Sequence, residues 1–577
     1  MATVMDTAMV PNPFSEPCKR AYLEVITTSK PAQCAIQHHG QQFGASTPLA
    51  TINLAGLLRL GGAIMIALAV APLRAQSLPP ATPPITSAEF PATPMVVPSF
   101  RFVPLVTLDE RYTDNVAFTS SALAQRDWVT NAAAGLHVDY RGARAKALLD
   151  YRVNRLMHAR QFGLDDTQHY LNANATLEAV EKWLFLDARA SISQQNRSAF
   201  GVADTSDSTS ANANRIETTT YQFSPYVRGQ LANVAIYQLR ATGIETRTGE
   251  SVFPDTKYFE WIGLIKNAPA AGRIGWTLDG STFSVNNSAI GKREDNRIRG
   301  TATFEVNSQL HFSLSGGKES SNLDGRQRRA TTNHGVGMEW SPSERTQLAA
   351  VTQKRFFGYD HLVGFAHRTP LTAWSFASSK EVSISARQLG TENPGSVYNL
   401  LLDLLASSIP DPLQRAAAAQ RKLEQTGIPT ATGIQEGSLT VRPLLNRRQD
   451  ASVALLGTRN TITLRIGRQE QRGLDGDRAA SGIGAPIEDI RQSSANAAWA
   501  YRLSPVSTIR LVVSFLRTEG LFNNSLTTTQ RFQSLFFVTQ LGPRTSFSAG
   551  LRRTLFDSTV VTSYRENSVA SSLTVRF

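Results

Sequence analysis

From Ser99 to its last residue this chain alternates apolar and polar side chains with a period of two, with one interruption. Ala145, Ala147, Leu149, Tyr151 and Val153 alternate with Lys146, Leu148, Asp150, Arg152 and Asn154. Ile298, Gly300, Ala302, Phe304 and Val306 alternate with Arg297, Arg299, Thr301, Thr303 and Glu305, and Ile462, Leu464 and Ile466 alternate with Thr463, Arg465 and Gly467. Successive side chains of a strand point to opposite faces, so each segment has one apolar and one polar face.

A soluble sandwich would also alternate. Three features point to a transmembrane antiparallel β-barrel instead. The segments run about 10 to 16 residues, where soluble strands average about 5 or 6. Short turns at 141–143, 268–272, 341–345, 457–460, 504–507 and 542–544 alternate with long polar loops such as 113–126, 194–214, 319–329 and 469–486. That asymmetry belongs to barrels with short periplasmic turns and long extracellular loops. Finally, the last strand places Leu573, Val575 and Phe577 on one face and Ser572, Thr574 and Arg576 on the other. A terminal aromatic in that setting resembles the signal by which the barrel assembly machinery recognises outer-membrane barrels. Ten short turns and eleven longer connections give about 22 strands, within a range of 18 to 22, with both ends on the periplasmic side.

The 577 residues would by length alone suggest three or four globular domains, or one very large β-structure. Charged residues make up only 18%, against about 25% in soluble proteins. Cys18 and Cys34 are the two cysteines, so the rest of the chain holds neither a disulfide framework nor a multi-cysteine zinc site. The net charge is +13. Its arginines are spread singly, without a helix-turn-helix, zinc-finger or RNP pattern, so nucleic acid is not an expected partner.

Residues 60–71 (LGGAIMIALAVA) follow Arg59 and precede a small-residue site at Ala75. At 12 residues the run is too short for a membrane helix and reads as the h-region of a signal peptide. The competing reading is a short buried helix. Residues 1–75 are thus expected to be an N-terminal extension plus signal peptide, and 76–98 a Pro-rich periplasmic linker. The barrel would occupy 99–577. The interruption, 396–427, reads as a helical hairpin. Ser396 would cap its first helix, Asp411 and Pro412 would open the second, and Gly427 would stop it. It could plug the lumen, cap the mouth or be a surface excursion.

Several segments carry a family resemblance. Pro104-Leu105-Val106 leads into Arg111-Tyr112-Thr113-Asp114-Asn115-Val116, and Leu184–Ala190 reads LFLDARA. Ile409-Pro410-Asp411-Pro412 with Arg415 is followed by Gln425–Pro429 (QTGIP), then Arg447, Ala451-Ser452 and Gly457–Thr461 (GTRNT). In order and type these resemble the outer-membrane β-barrel family associated with the PEP-CTERM/exosortase system. The likeness spans Arg101 to Phe577 and is carried by collinearity. The long N-terminal extension departs from it. The resemblance implies a bacterial outer-membrane protein, encoded with exosortase and exopolysaccharide machinery, acting in polysaccharide export.

Enzyme parts were sought and none is expected. The histidines lack metal-ligand spacing, and no G-x-S-x-G, P-loop or G-x-G-x-x-G occurs. Asp165-Asp166 and Glu392 read as solvated loop acids, and Asp114-Asn115 as a turn rather than a cation site. No cofactor and no metal are expected. The polar face is the candidate. Arg144, Lys146, Arg152, Arg297, Arg299, Arg465, Arg510 and Arg576 are assigned to the lumen, where they would either attract anions or pair with Asp150 and Glu305. The expectation is a passive conduit or accessory pore for exopolysaccharide in the outer membrane. A general porin and a structural envelope anchor are the alternatives.

Overall fold

The computed structural model describes residues 99–203, 212–232, 234–249, 253–267, 273–384, 438–440, 442–474, 489–522 and 525–577. They form 22 strands and one 3-10 turn (Phe162–Leu164), with no α-helix among them. The first eleven strands are β1 (Ser99–Thr113), β2 (Asp127–Arg141), β3 (Ala145–His158), β4 (Asp166–Val180), β5 (Leu184–Asn196), β6 (Arg215–Leu231), β7 (Ala235–Arg247), β8 (Thr256–Asn267), β9 (Ile274–Asn287), β10 (Gly291–Asn307) and β11 (Leu310–Ser321). The rest are β12 (Arg329–Ser343), β13 (Thr346–Arg355), β14 (Gly358–Arg368), β15 (Thr372–Ser383), β16 (Leu444–Leu456), β17 (Asn460–Gly473), β18 (Ile490–Arg502), β19 (Ser507–Gly520), β20 (Thr527–Gln540), β21 (Thr545–Ser558) and β22 (Tyr564–Arg576). The expected signal peptide, linker and helical hairpin lie outside the described residues.

Each strand pairs antiparallel with its neighbour in sequence, and β22 returns to β1, from Leu105↔Arg576 to Thr113↔Ser568. Just past the ladder, the Phe577 N–H donates to the Pro104 carbonyl at 2.9 Å. The ring is therefore closed. Two strand prolines, Pro225 and Pro342, fall where ladders are irregular, between Phe223 and Tyr226 toward β7 and between Trp340 and Ser343 toward β13. A residue without an N–H cannot extend a ladder on that side.

The burial pattern is inside-out. Ile298, Phe304, Leu314, Ile466, Leu551 and Val569 are exposed, while Arg297 and Arg299 are only 2% exposed. Water would favour the reverse. Lipid favours this arrangement, because hydrocarbon contacts the apolar face while the inter-strand ladders pair backbone groups within the wall. The chain is an outer-membrane-type β-barrel.

Turns at one end are short, with Gly142 N–H bonded to Ala145 O and Gly457 N–H to Asn460 O, each at 2.8 Å. We call this the turn end and the opposite one the mouth. The expected turn at 268–272 lies outside the described residues. The mouth connections departed from expectation at two places: 288–290 and 356–357 are tight turns rather than long loops.

The wall bends sharply between β10 and β13. Arg299 Nη1 reaches Gln353 Oε1 at 2.9 Å, although three strand spacings on a flat sheet would separate them by about 14 Å. Gly317 on β11 lies inside the bend. A Cβ there would sit 2.0 Å from the Ile298 carbonyl oxygen, whereas one at adjacent Gly316 would meet nothing within 4 Å. We expect Gly317→Ala to lower barrel stability by about 1–3 kcal/mol and Gly316→Ala to leave it unchanged. The urea midpoint of the folded, heat-modifiable electrophoretic band checks both.

Candidate functional site

The lumen wall is built from the alternate residues of each strand. At the bend, Asp279 accepts from Arg299 Nε at 3.1 Å and Nη2 at 3.0 Å, and lies 3.9 Å from Arg297. Gln353 then donates to Asp360 at 2.7 Å. Arg355 closes the chain. It binds Glu319 through two nitrogens, approaches Asp295 at 3.6 Å and Asp360 at 4.0 Å. Seven charged side chains from β9, β10, β11, β13 and β14 thus share one buried network.

Of the eight expected lumen cations, the structure brings only Arg297 and Arg299 together. Arg465 pairs with Asp450 at 2.7 Å, alongside Arg448. Arg152 stacks over Tyr170 at 5.0 Å, and Arg510 lies 5.3 Å from the Phe536 ring. Lys146 and Arg576 stand on lumen-facing positions near the turn end, opposite Arg141 and Leu105. Arg144 is in an exposed turn, 3.3 Å from Glu181. The expected pairing acids were the wrong ones. Asp150 accepts from His137 at 2.5 Å, and Glu305 has no side-chain partner among the described residues. Asp279 and Asp450 take that role, because they lie one strand away at the matching level. Leu573, Val575 and Phe577 stand on the outer face, with Phe577 61% exposed.

Sequence reasoning missed an aromatic stack on β5–β7. Phe185 and Tyr226 lie 4.9 Å apart at 12°, flanked by Arg228 at 4.3 Å and Arg240 at 4.1 Å, with Arg240 also bonded to Asp187 at 2.9 Å. Only ladder register reveals it.

The mouth is where chain segments far apart in sequence converge. The β1–β2 loop (114–126) turns inward. Val116 packs with Val129 and Leu156, and the Phe118 ring lies 5.1 Å from Tyr564. Asn115 ties the loop: its amide donates to Thr119 O and Arg565 O at 2.6 and 3.0 Å, and its carbonyl accepts the Thr119 N–H. Asp114 accepts from Asn567 through backbone and side chain, both at 2.8 Å. The pair is the turn that the sequence suggested. In the β3–β4 loop the His158 backbone N–H, 2.8 Å away, holds the Asp165 carboxyl below its ordinary range.

The described parts of the β5–β6 connection, 197–203 and 212–214, reach into the lumen. Asn214 grips Ser198 in both directions at 2.9 Å. A Cβ on Gly201 would lie 2.3 Å from the Asn214 side chain, so any larger residue there would push Asn214 out of these hydrogen bonds. The Ala203 N–H donates to Gln530 Oε1 at 3.0 Å, and Gln530 Nε2 donates to Ala203 O at 2.9 Å. Gln530 is on β20, eight strands from β6 by the shorter way round. Phe200 and Ala199 pack on Ile490 beside it.

Residues 438–440 of the β15–β16 connection lie against the other side of the ring. The Leu439 N–H donates to Asn196 O at 2.9 Å, at the end of β5, half-way round the ring from β16. Leu439 packs there with Ile216 and Phe253. A further cluster gathers Ile244, Tyr258, Phe283, Leu323, Val382 and Ile384 against the Phe356–Phe357 turn. These residues come from β7 to the β15 end, so loops over a third of the rim meet in one apolar mass. Among the described residues no group of three or more His, Cys, Asp or Glu side chains could hold a metal ion.

No family model matches the chain, and no curated protein does. Solved structures with a similar trace include the siderophore receptor PirA from Pseudomonas aeruginosa, at 8% identity over 83% of this chain and 80% of that one, with a TM-score of 0.41. The apoprotein form of the FrpB iron transporter (F5-1 variant) from Neisseria meningitidis is similar at 10% identity over 82% and 81%, with a TM-score of 0.46. At such values the likeness carries nothing about what passes through this barrel.

Removing one partner of a buried charge group leaves the other uncompensated. Arg355→Leu, which takes the shared cation from Glu319, Asp295 and Asp360, should therefore cost about 3–5 kcal/mol, and Arg355→Leu with Glu319→Leu should cost less than the sum of the two single changes. Urea unfolding of the three variants measures this.

Proposed function

We propose that this chain is an outer-membrane conduit for a hydrophilic polymer, with its mouth held shut by the crossing loops. The observation that carries this reading is the reciprocal hydrogen-bond pair between Ala203 and Gln530. It bridges the lumen through one side chain and two backbone groups, which is a contact that a small motion can release.

The lumen chemistry suits passage rather than capture. Its most deeply buried charges are paired, as at Arg299–Asp279, Arg355–Glu319 and Arg465–Asp450. A compensated polar wall binds neither sign strongly, and a conduit must release what it admits. The resemblance to barrels of the exosortase system supports exopolysaccharide as the cargo and its export proteins as partners. The bacterial outer membrane is the location that the closed barrel with an apolar outer face supports.

Planar-bilayer recording tests the reading. The wild-type chain should show small or rare openings with weak ion selectivity. Gln530→Leu, which loses both bridging bonds, should raise open probability several-fold, and long oligosaccharides should then block the current. Large, permanently open steps in the wild type, unchanged by Gln530→Leu, would contradict it.

A further inference from the structure

The outer wall near the mouth also carries positive charge without matching carboxylates. Leu555 on β21 faces outward. Its ladder partners are Arg531 on β20 and Arg565 on β22. Arg553, two residues earlier on the same face, pairs with Gln533 and Asn567. All three arginines are exposed, and none is ion-paired among the described residues. Asp557, two residues beyond Leu555, is the nearest outward acid on β21 and lies on the mouth side. Directly toward the turn end, the same outward columns become apolar at Leu535, Leu551 and Val569, which are 45%, 57% and 54% exposed.

The neighbouring wall continues the bias. On β17–β19, Arg468, Arg472, Arg491 and Arg517 share only Glu470 and Glu519. On β13–β16, Lys354, Lys380 and Arg447 face outward at a similar level, with His361 opposite Lys380. The other half of the ring is nearer balance: Arg155, Arg247, Lys257, Lys292 and Lys318 on β3–β11 face Glu110, Glu217, Glu245 and Glu294 on β1–β10. The asymmetry is therefore a property of one sector.

We propose that the arginine triad around Leu555 is a binding site for the phosphate group of an anionic glycolipid in the outer leaflet. Guanidinium forks match phosphate oxygens in pairs, which lysine does not do. A soluble anion would need only the triad. Here the triad borders an apolar lane that runs down the lipid-facing wall, so the ligand that fits both carries phosphate and acyl chains in one molecule. The sector from β17 to β22 would then hold a fixed annulus of glycolipid, with the other half left in ordinary lipid contact. The proposal rests on the outer-membrane reading.

The test uses the full folded chain in detergent with bisphosphorylated lipid A as probe, and native mass spectrometry as readout. Arg531→Gln, Arg553→Gln and Arg565→Gln combined should lower bound lipid A by roughly tenfold or more. The matching triple lysine variant should fall between this and wild type. Dephosphorylated lipid A should bind weakly to all three, and inorganic pyrophosphate should compete poorly. Equal lipid A retention by the glutamine variant overturns the proposal. Displacement by millimolar pyrophosphate also overturns it, in favour of a soluble anion. Insertion of wild type into phosphatidylcholine vesicles, read by heat-modifiable mobility, separately tests the membrane reading. A wild type that inserts but binds lipid A no better than the glutamine variant sinks the glycolipid site alone.

Discussion

The structure depends on the pairing of β1 with β22. A strand in hydrocarbon must satisfy every N–H and C=O within the protein, because no water is there to do it. Twenty-one of the ladders join strands adjacent in sequence and need only a turn. The remaining ladder, Leu105↔Arg576 to Thr113↔Ser568, joins segments more than 450 residues apart. Without it two edges would face lipid unpaired. Its mouth end is reinforced by Asp114, Asn115, and the Arg111–Glu566 pair at 3.1 Å, and its lumen side by the Thr107 and Thr574 hydroxyls at 3.0 Å.

Closure sets the rest. Once the ring exists, one residue in two must face lipid, and polar side chains have only the lumen left. Burying arginine there is tolerable when carboxylates sit one strand away, as Asp279 does for Arg299 and Asp450 for Arg465. A ring this wide also leaves a lumen that side chains alone do not fill. The loops at the mouth take up that space, and their apolar residues pack on one another because they stand above the lipid and in contact with water. Three arginines with no carboxylate beside them, Arg531, Arg553 and Arg565, stand on the outer wall at the boundary between apolar lane and aqueous rim.

The ring was legible in the sequence because its signal is local. Period-two alternation and the short turns at Gly142, Gly457 and Gly542 are each written within a dozen residues, and 22 strands follow from counting them. Two mouth connections escaped the rule of long loops, since Ala289 and Phe356 sit in turns too short to show a composition change. The site was far less legible. That Arg299 meets Asp279 and Gln353 depends on a bend made by Gly317, and a glycine in a strand does not announce which neighbour crowds it. The bridge from Ala203 to Gln530 spans 327 residues and has no sequence motif at either end. Arg553 reads as one more polar residue in an alternating strand until register places Arg531 and Arg565 around Leu555.

A cysteine pair at Thr107 and Thr574 tests closure most directly. These residues face each other across the β1–β22 ladder, at a separation compatible with a disulfide, and Cys18 and Cys34 are the only other cysteines of the chain. In the Cys18→Ser, Cys34→Ser background, mild oxidation of the folded protein should crosslink Thr107→Cys to Thr574→Cys nearly completely, seen as a mobility shift on unheated and heated gels that reductant reverses. A folded protein in which that pair stays reduced, while an adjacent-strand pair at Ser375 and Ser452 crosslinks, would contradict the closed ring.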